Sequence, residues 1–124
     1  MIYNLFLYER LMNFTQSLQT CYKKFFDFSG RASKSEYWWF WLYNIILYLL
    51  QFVFQGDLAL LLSLVVIANF IPMIAAGVRR IHDSNKSGWH LLIGVIPLIG
   101  LWVLVILAQD GSKGKNRFGP KPIK

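Results

Sequence analysis

The sequence predicts an all-helical protein that crosses a membrane several times. Hydrophobic residues make up 56% of the chain and charged residues 15%, against roughly 45–50% and about 25% in soluble domains. Three runs without Asp, Glu, Lys or Arg cover residues 37–55, 58–78 and 89–108, and each approaches the ~20 helical residues that cross a bilayer. A soluble core could bury one such run but not three in so short a chain. We therefore predict three transmembrane helices within a membrane domain at 12–109.

The charge distribution indicates how this domain is oriented. The chain has 13 Lys and Arg against 6 Asp and Glu, a net charge of +7. These cations flank the apolar runs, which is typical of the cytoplasmic ends of membrane proteins. A nucleic-acid-binding domain would instead gather them into one patch on a folded surface. We expect anionic lipids, and no nucleic acid, as partners of this charge.

The segment before the first run predicts an interfacial helix over residues 13–28. Its apolar side chains recur at helical spacing, which is the pattern of an amphipathic helix lying on a membrane: Phe14, Leu18, Cys21, Tyr22 and Phe25. Residues 1–11 do not continue this pattern. Met12 is a candidate natural start, in which case residues 1–11 are an upstream extension.

The first span begins in the stretch "GRASKSEYWWFW", residues 30–41. Ser33 and Glu36 have the spacing of a capping box, in which each side chain accepts from the backbone N–H of the other residue. The aromatic residues that follow favour the headgroup level of a membrane. The stretch therefore predicts a helix that starts at a membrane surface.

Polar side chains form a stripe on one face of the first span. Asn44, Tyr48, Gln51 and Gln55 are separated by four, three and four residues, and Asn69 in the second span could pair with them. Because amides are costly in lipid, the stripe should face another helix or water. Two interpretations remain open, which are hydrogen bonds between helices and a polar pathway shared by the subunits of an oligomer.

The third run contains Gly94, Pro97 and Gly100 in "GVIPLIG". It predicts either one kinked crossing or a re-entrant pair of half-helices, which is tolerated only against protein. Its length favours one crossing, so we predict three crossings. A third crossing puts the basic tail, residues 110–124, outside against the positive-inside rule, whereas a re-entrant segment keeps it inside. The glycine, proline and lysine content of the tail predicts a mobile segment.

A cluster of charges is predicted at one end of the domain. An antiparallel hairpin of the first two spans returns Arg79 and Arg80 to the depth of Glu36, so we predict that Glu36 pairs with one of them. The interpretations are a docking site for anionic lipids or partners, or a role in topology and packing. The candidate contacts are Arg31, Glu36, Arg79, Arg80, His82, Asp83 and Arg117.

Catalytic and cofactor chemistry is not indicated. The chain has no HExxH, CxxC, P-loop or GxGxxG motif. Its one cysteine, Cys21, excludes an internal disulfide and a multi-cysteine metal cluster. We predict no enzyme, no cofactor and no metal. A membrane-embedded enzyme using His82 and Asp83 is the least favoured function.

Three stretches also carry a resemblance. "FSGRASKSEYWWFW", "RRIHDSNKSGW" and "IPLIGLWVLVILAQDGSKGKNRFGP" follow in order and resemble the family called domain of unknown function 805, over about residues 12–120. The resemblance implies a small multi-pass protein of the bacterial inner membrane and supplies no activity. His90 departs from relatives, which commonly have an aromatic residue there. The motif positions implied are Gly30, Arg31, Ser33, Glu36, Tyr37 and Trp38; Arg79, Arg80, His82, Asp83, Ser87, Gly88 and Trp89; and Gly111, Asn116, Arg117 and Gly119.

These observations predict an integral protein of the bacterial cytoplasmic membrane that acts by binding. The expected partners are anionic lipids, other membrane proteins or further copies of the chain. The alternative is an oligomeric transport or channel subunit whose path is lined by the polar stripe, since one copy has too few spans to enclose a path.

Overall fold

The computed structural model describes residues 12–122, and these residues form helices and no strands. The upstream extension proposed at residues 1–11 lies outside the described residues. The helices, in chain order, are α1 (Phe14–Lys23), α2 (Lys34–Leu50), α3 (Asp57–Ala68), α4 (Phe70–Asp83), α5 (His90–Ile93) and α6 (Gly100–Ala108).

Helix α1 is the predicted interfacial helix, although it ends at Lys23 and not at residue 28. It starts with a full capping box, in which Asn13 Oδ1 accepts from Gln16 N at 2.8 Å and Gln16 Oε1 accepts from Asn13 N at 3.0 Å. Ser17 and Cys21 are its buried residues. The Ser17 hydroxyl donates to the Glu36 carbonyl, so α1 packs against the first turn of α2.

Helices α2, α3 and α4 form an antiparallel hairpin. Asn44 Nδ2 lies 3.6 Å from Met73 Sδ, and Ser63 Oγ donates to Gln51 Oε1 at 3.1 Å. The later residue of α2 in these two pairs, Gln51, thus meets the earlier residue of the partner helices, Ser63. Helix α2 therefore runs antiparallel to α3 and α4. The turn between them uses Gly56 at φ +69°, a left-handed conformation that glycine adopts without a steric penalty.

Helices α3 and α4 are nearly continuous. The helical hydrogen bonds from Asn69 N to Val65 O and from Met73 N to Asn69 O both form, at 2.9 and 3.0 Å. Pro72 has no N–H to donate, which accounts for the interruption near Asn69. The stretch Asp57–Asp83 is the one helix, among residues 12–122, that is long and apolar enough to cross a membrane. Three crossings are thus not confirmed.

The third apolar run is not one helix. Helices α5 and α6 are separated by a turn at residues 94–99 in which Leu98 has φ +68°. A straight helix would separate Leu91 from Leu107 by about 24 Å. Instead Leu91 lies against Gly77 and Leu107 O accepts from Arg80 Nε at 2.8 Å. Because Gly77 and Arg80 are neighbours on α4, the run reverses direction and both of its ends lie beside α4.

The hairpin of α5 and α6 closes through a glycine contact. A Cβ on Gly100 would lie 2.6 Å from Gly94 O, so only glycine permits this approach. The described residues therefore contain two short helices joined by a reversal in place of one helix, and the predicted third crossing stays unconfirmed. Three helix-weakening residues, Gly94, Pro97 and Gly100, divide the run.

The tail is irregular, as predicted, but it is bound where the sequence predicted a mobile segment. Ser112 N donates to Asp83 O at 2.7 Å. Asn116 Nδ2 donates to His82 O at 3.0 Å. Residues 110–122 thus lie against the end of α4, on the same face of the molecule as the loop before α2.

Candidate functional site

A buried ion pair joins α2 to α4 at this face. Arg79 Nη1 contacts Glu36 Oε2, and the two side chains are 0% and 3% exposed. The predicted pairing of Glu36 with Arg79 or Arg80 is therefore present with Arg79. Arg79 Nε also donates to Asp27 O at 3.2 Å, while its Nη2 is buried without a hydrogen-bond partner.

Glu36 does not complete the predicted capping box. Ser33 Oγ accepts from Glu36 N at 3.2 Å, which is half of that motif, but the Glu36 carboxylate turns to Arg79. The arginine offers a charged donor where the backbone offers a neutral one, and charge-assisted hydrogen bonds are the stronger kind. The reciprocal half of the predicted box is therefore wrong.

A second buried group places one carboxylate between two guanidinium ions. Arg31 Nε donates to Asp83 Oδ1 at 2.9 Å, and Arg80 Nη1 donates to Asp83 Oδ2 at 2.6 Å. All three side chains are at most 8% exposed. Together with the Glu36–Arg79 pair they form what we call the buried clamp, made of Arg31, Glu36, Arg79, Arg80 and Asp83.

Arg80 and Arg31 also bind main-chain carbonyls. Arg80 donates to Leu107 O at 2.8 Å, to Ala32 O at 3.1 Å and to Gln109 O. Arg31 reaches the tail, where it donates to Gly114 O at 2.6 Å, Ser112 O at 2.7 Å and Gly119 O at 3.3 Å. Two arginines thus fasten the loop before α2, the end of α6 and the tail to the end of α4.

Burial dominates the electrostatics of the clamp. Glu36 lies in the first turn of α2, before the apolar span, where burial raises its pKa and the Arg79 guanidinium opposes that rise. A buried charge is tolerated when it is paired and hydrogen-bonded. Since all five side chains are enclosed by protein, these candidate lipid or partner contacts lie inside the molecule and not on its surface.

His82 and Arg117 lie beside the clamp around an aromatic ring that was not singled out from the sequence. The Phe118 ring stacks on His82 with 3.8 Å between centroids and 3° between planes. The Arg117 guanidinium lies 4.7 Å from the centroid of the same ring. His82 Nδ1 is 2.9 Å from Gly30 O. The sequence signal that pointed to this contact was Phe118, an aromatic residue in a tail rich in glycine and lysine.

The polar stripe is placed in two different environments. Asn44 and Gln51 bond within the chain, to Phe40 O at 2.8 Å and to Ser63. Tyr48 is 52% exposed, and Gln55 lies exposed beside the turn. Asn44 and Gln51 therefore face the helices packed against α2, whereas Tyr48 and Gln55 are exposed at the surface of the protein.

Asn69 finds a partner outside the stripe. It is 3% exposed, and its Oδ1 accepts from Tyr22 Oη at 2.9 Å. Tyr22 and Tyr43 hydroxyls lie 3.0 Å apart. In place of the predicted pairing with α2, Asn69 bonds to Tyr22 of α1.

The surface around the clamp is strongly cationic. We call it the cationic face: eight exposed or half-buried Lys and Arg side chains compete with two acids, Asp27 and Asp110. The Lys34–Asp110 pair is exposed, so it contributes little to stability. A cavity of about 410 Å³ opens there, between Lys34, Ser112, Lys113 and Lys121, and Asp83 and Asp110 also line it. The eight cations are Lys23, Lys24, Lys34, Lys86, Lys113, Lys115, Arg117 and Lys121.

The described residues offer little to a metal or to nucleophilic chemistry. Within residues 12–122 no group of three or more His, Cys, Asp or Glu could hold a metal ion. Cys21 is fully buried, and burial raises the pKa of its thiol to about 12. Since the thiolate is the reactive form, Cys21 is a packing residue here.

Residues 25–120 match the sequence profile of a family described as "Protein of unknown function (DUF805)". The chain belongs to this family. The matched range contains every residue of the buried clamp and all of the tail segment that Arg31 binds.

Two relatives from Escherichia coli (strain K12) are named inner membrane proteins. Inner membrane protein YhaI is 38% identical over 105 residues, covering 81% of this chain and 89% of its own length. Inner membrane protein YhaH is 38% identical over 110 residues, covering 81% and 90%. Neither name states an activity. No solved structure matches the chain.

Proposed function

We propose that this chain is an inner-membrane protein that binds anionic lipids through its cationic face. The location rests on the apolar helices, on the family and on relatives that are named inner membrane proteins. The binding rests on the charge of one face and on the way the buried clamp holds that face together.

The proposed topology has two crossings and one re-entrant hairpin. Helix α2 and the stretch Asp57–Asp83 cross, while α5 and α6 enter and leave on the same side. The loop before α2, the loop after α4 and the tail then share one side, which agrees with the positive-inside rule for all the basic segments. The apex of the hairpin suits lipid, since Val95 and Leu98 are 80% and 83% exposed.

Cysteine labelling tests this topology. Lys113 is exposed in the tail, so we would introduce Lys113→Cys into a Cys21→Ser background. A membrane-impermeant maleimide should label this variant only after permeabilisation of cells. The Asp57→Cys variant, at the opposite turn, is the matched control and should label in intact cells. Labelling of Lys113→Cys in intact cells would overturn the re-entrant topology.

The excess of cations on one face is the observation that carries the lipid-binding proposal. Eight exposed or half-buried cations oppose two acids, and a basic residue near an anionic leaflet contributes about 1 kcal/mol. The buried clamp fastens the tail cations and the loop cations to one helix end, so they act together. The cavity beside Lys34, Lys113 and Lys121 could take a headgroup phosphate.

Charge-preserving and charge-removing variants separate electrostatics from packing. A triple Gln variant at Lys34, Lys113 and Lys121 should lower the ratio of phosphatidylglycerol to phosphatidylcholine that copurifies from mixed micelles. A triple Arg variant at the same positions should keep the wild-type ratio. Raising the salt concentration should reduce the wild-type preference, because exposed charges are screened. Equal ratios for wild type and the Gln variant would refute the proposal.

A further inference from the structure

An apolar groove lies next to the cationic face, between α4, α5 and the loop that joins them. Its volume is about 450 Å³. Ile74, Val78, Leu91 and Leu92 form its walls, and His82 and Ser87 stand at one end. We call it the interfacial groove. It is distinct from the cavity beside Lys34, with which it shares no lining residue.

Two glycines shape this groove. A Cβ on Gly88 would lie 2.7 Å from Val78 Cγ1, and one on Gly77 would lie 3.3 Å from Leu91 Cδ2. The chain around Gly88 therefore presses against α4, and the walls are fixed by close packing. Trp89 lines the groove and is 78% exposed, which suits the membrane interface that tryptophan favours.

One cation, Arg117, lies near the polar end of the groove, which His82 and Ser87 line. His82 is stacked under Phe118, whose ring also carries the Arg117 guanidinium at 4.7 Å. Arg117 Nη2 is held by Asn85 O at 3.3 Å. No acidic residue lines the groove, and the neighbouring Asp83 carboxylate is bound by Arg31 and Arg80. The groove thus combines apolar walls with a polar end that has a cation nearby and no acid among its lining residues.

The dimensions favour a single hydrocarbon chain over a helix. From Ile74 to His82, α4 advances about 12 Å, which gives the groove a mean cross-section of about 40 Å². A helix about 10 Å in diameter has a cross-section of about 80 Å². An extended chain of methylene groups is narrower than a helix, and it gains from the apolar walls.

We infer that the interfacial groove binds one anionic glycerophospholipid. One acyl chain lies between Ile74, Val78 and Leu92, and the phosphate lies at the His82 end, within reach of Arg117. This inference rests on the proposed function, because it assigns a single site to a lipid of the class that the cationic face attracts.

Native mass spectrometry of the protein in neutral detergent tests the inference. The probes are phosphatidylglycerol, phosphatidylcholine with the same acyl chains, and glycerol phosphate as the headgroup alone. We would compare Leu92→Trp, which fills the groove, with Leu101→Trp on α6. Leu92 and Leu101 are 60% and 59% exposed, and Leu101 does not line the groove, so the two substitutions are matched.

We expect one phosphatidylglycerol to bind at least tenfold more tightly than phosphatidylcholine, with glycerol phosphate neither binding nor competing. Leu92→Trp should lose that site at least tenfold, Leu101→Trp should keep it, and Arg117→Gln should reduce the preference for phosphatidylglycerol. Unreacted Cys21 checks that each variant is folded.

The outcomes separate this site from the general function. If folded Leu92→Trp binds phosphatidylglycerol as Leu101→Trp does, the groove site is wrong while the cationic face can still select lipids. If glycerol phosphate competes, the site is a free-phosphate site and the acyl chain has no part in it. If wild type shows no preference for phosphatidylglycerol in either assay, the proposed function fails as well.

Discussion

Removing either member of the Glu36–Arg79 pair should destabilise the protein strongly. The two side chains are 3% and 0% exposed, so the surviving charge stays buried without its partner. Breaking a buried pair in this way costs about 3–5 kcal/mol, whereas replacing both partners by apolar residues of similar volume is often neutral or stabilising. We therefore expect large losses for Glu36→Met and for Arg79→Met, and a much smaller loss for the double variant.

The two single variants should differ in their response to pH. Without Arg79, only Lys24 opposes the burial that raises the pKa of Glu36, so the folded state holds this proton more tightly than the unfolded chain. The stability of Arg79→Met should therefore rise as the pH falls and decline as the pH rises through the folded pKa. In Glu36→Met the Arg79 guanidinium is left without its partner and cannot lose its proton. The loss of stability in this variant should therefore not become smaller at low pH.

The assay is unfolding in detergent micelles by increasing dodecyl sulfate, followed by far-ultraviolet circular dichroism. Lys34→Gln is the control, because it breaks the exposed Lys34–Asp110 pair and should cost about 0–1 kcal/mol. A loss for Glu36→Met no larger than this control would refute the reasoning. The reasoning would also be refuted if the double variant lost as much stability as the two single variants together. The double-mutant cycle would then show no coupling between the two charges.

Three further predictions concern single positions. Gly111→Ala should loosen the tail and speed its proteolysis, because a Cβ there would lie 1.7 Å from Asp83 Oδ2. The control is Gly114→Ala, whose Cβ would have no atom within 4 Å and which should be digested like wild type. Equal digestion of both variants would contradict the packing of the tail. Cys21, with its thiol pKa raised to about 12 by burial, should resist maleimide in micelles and react in dodecyl sulfate; fast reaction in micelles would show that α1 is not docked. Leu98→Gly should leave the melting temperature unchanged or raise it, because glycine relieves the left-handed φ of +68°; a loss of about 1 kcal/mol, as in a helix interior, would indicate one continuous third helix.

The sequence predicted the helical hairpin and its ion pair because both follow from local rules. Apolar runs show where helices form, and a tight turn at Gly56 makes the first two antiparallel, which brings Arg79 to Glu36. The sequence did not show that Glu36 would bind one arginine and Asp83 two. Asp83 takes two arginines because α4 extends past the apolar span to residue 83, and the sequence had suggested a loop from residue 79.

The course of the third run and of the tail depended on contacts between distant residues. Gly94 and Gly100 are equally consistent with a kink and with a reversal, and the length of the run favoured a single crossing. What decides the reversal is the bonding of Leu107 and Gln109 carbonyls to Arg80. A tail rich in glycine and lysine gives no sign of order by itself, because its order comes from Arg31, on the far side of the whole apolar sequence.

That last bond has a consequence for how the protein is made. Arg31 leaves the ribosome 83 residues before Gly114, the carbonyl that it binds most closely. At about 5–20 residues per second, this interval is roughly 4–17 s, during which Arg31 lacks the backbone that encloses it. Asp83, made 52 residues after Arg31, lacks that backbone for the rest of the interval. The nascent chain thus carries unsheltered charges through most of its insertion. A chain that ends before residue 112 never gains that shelter, because all three tail carbonyls that Arg31 binds are missing from it.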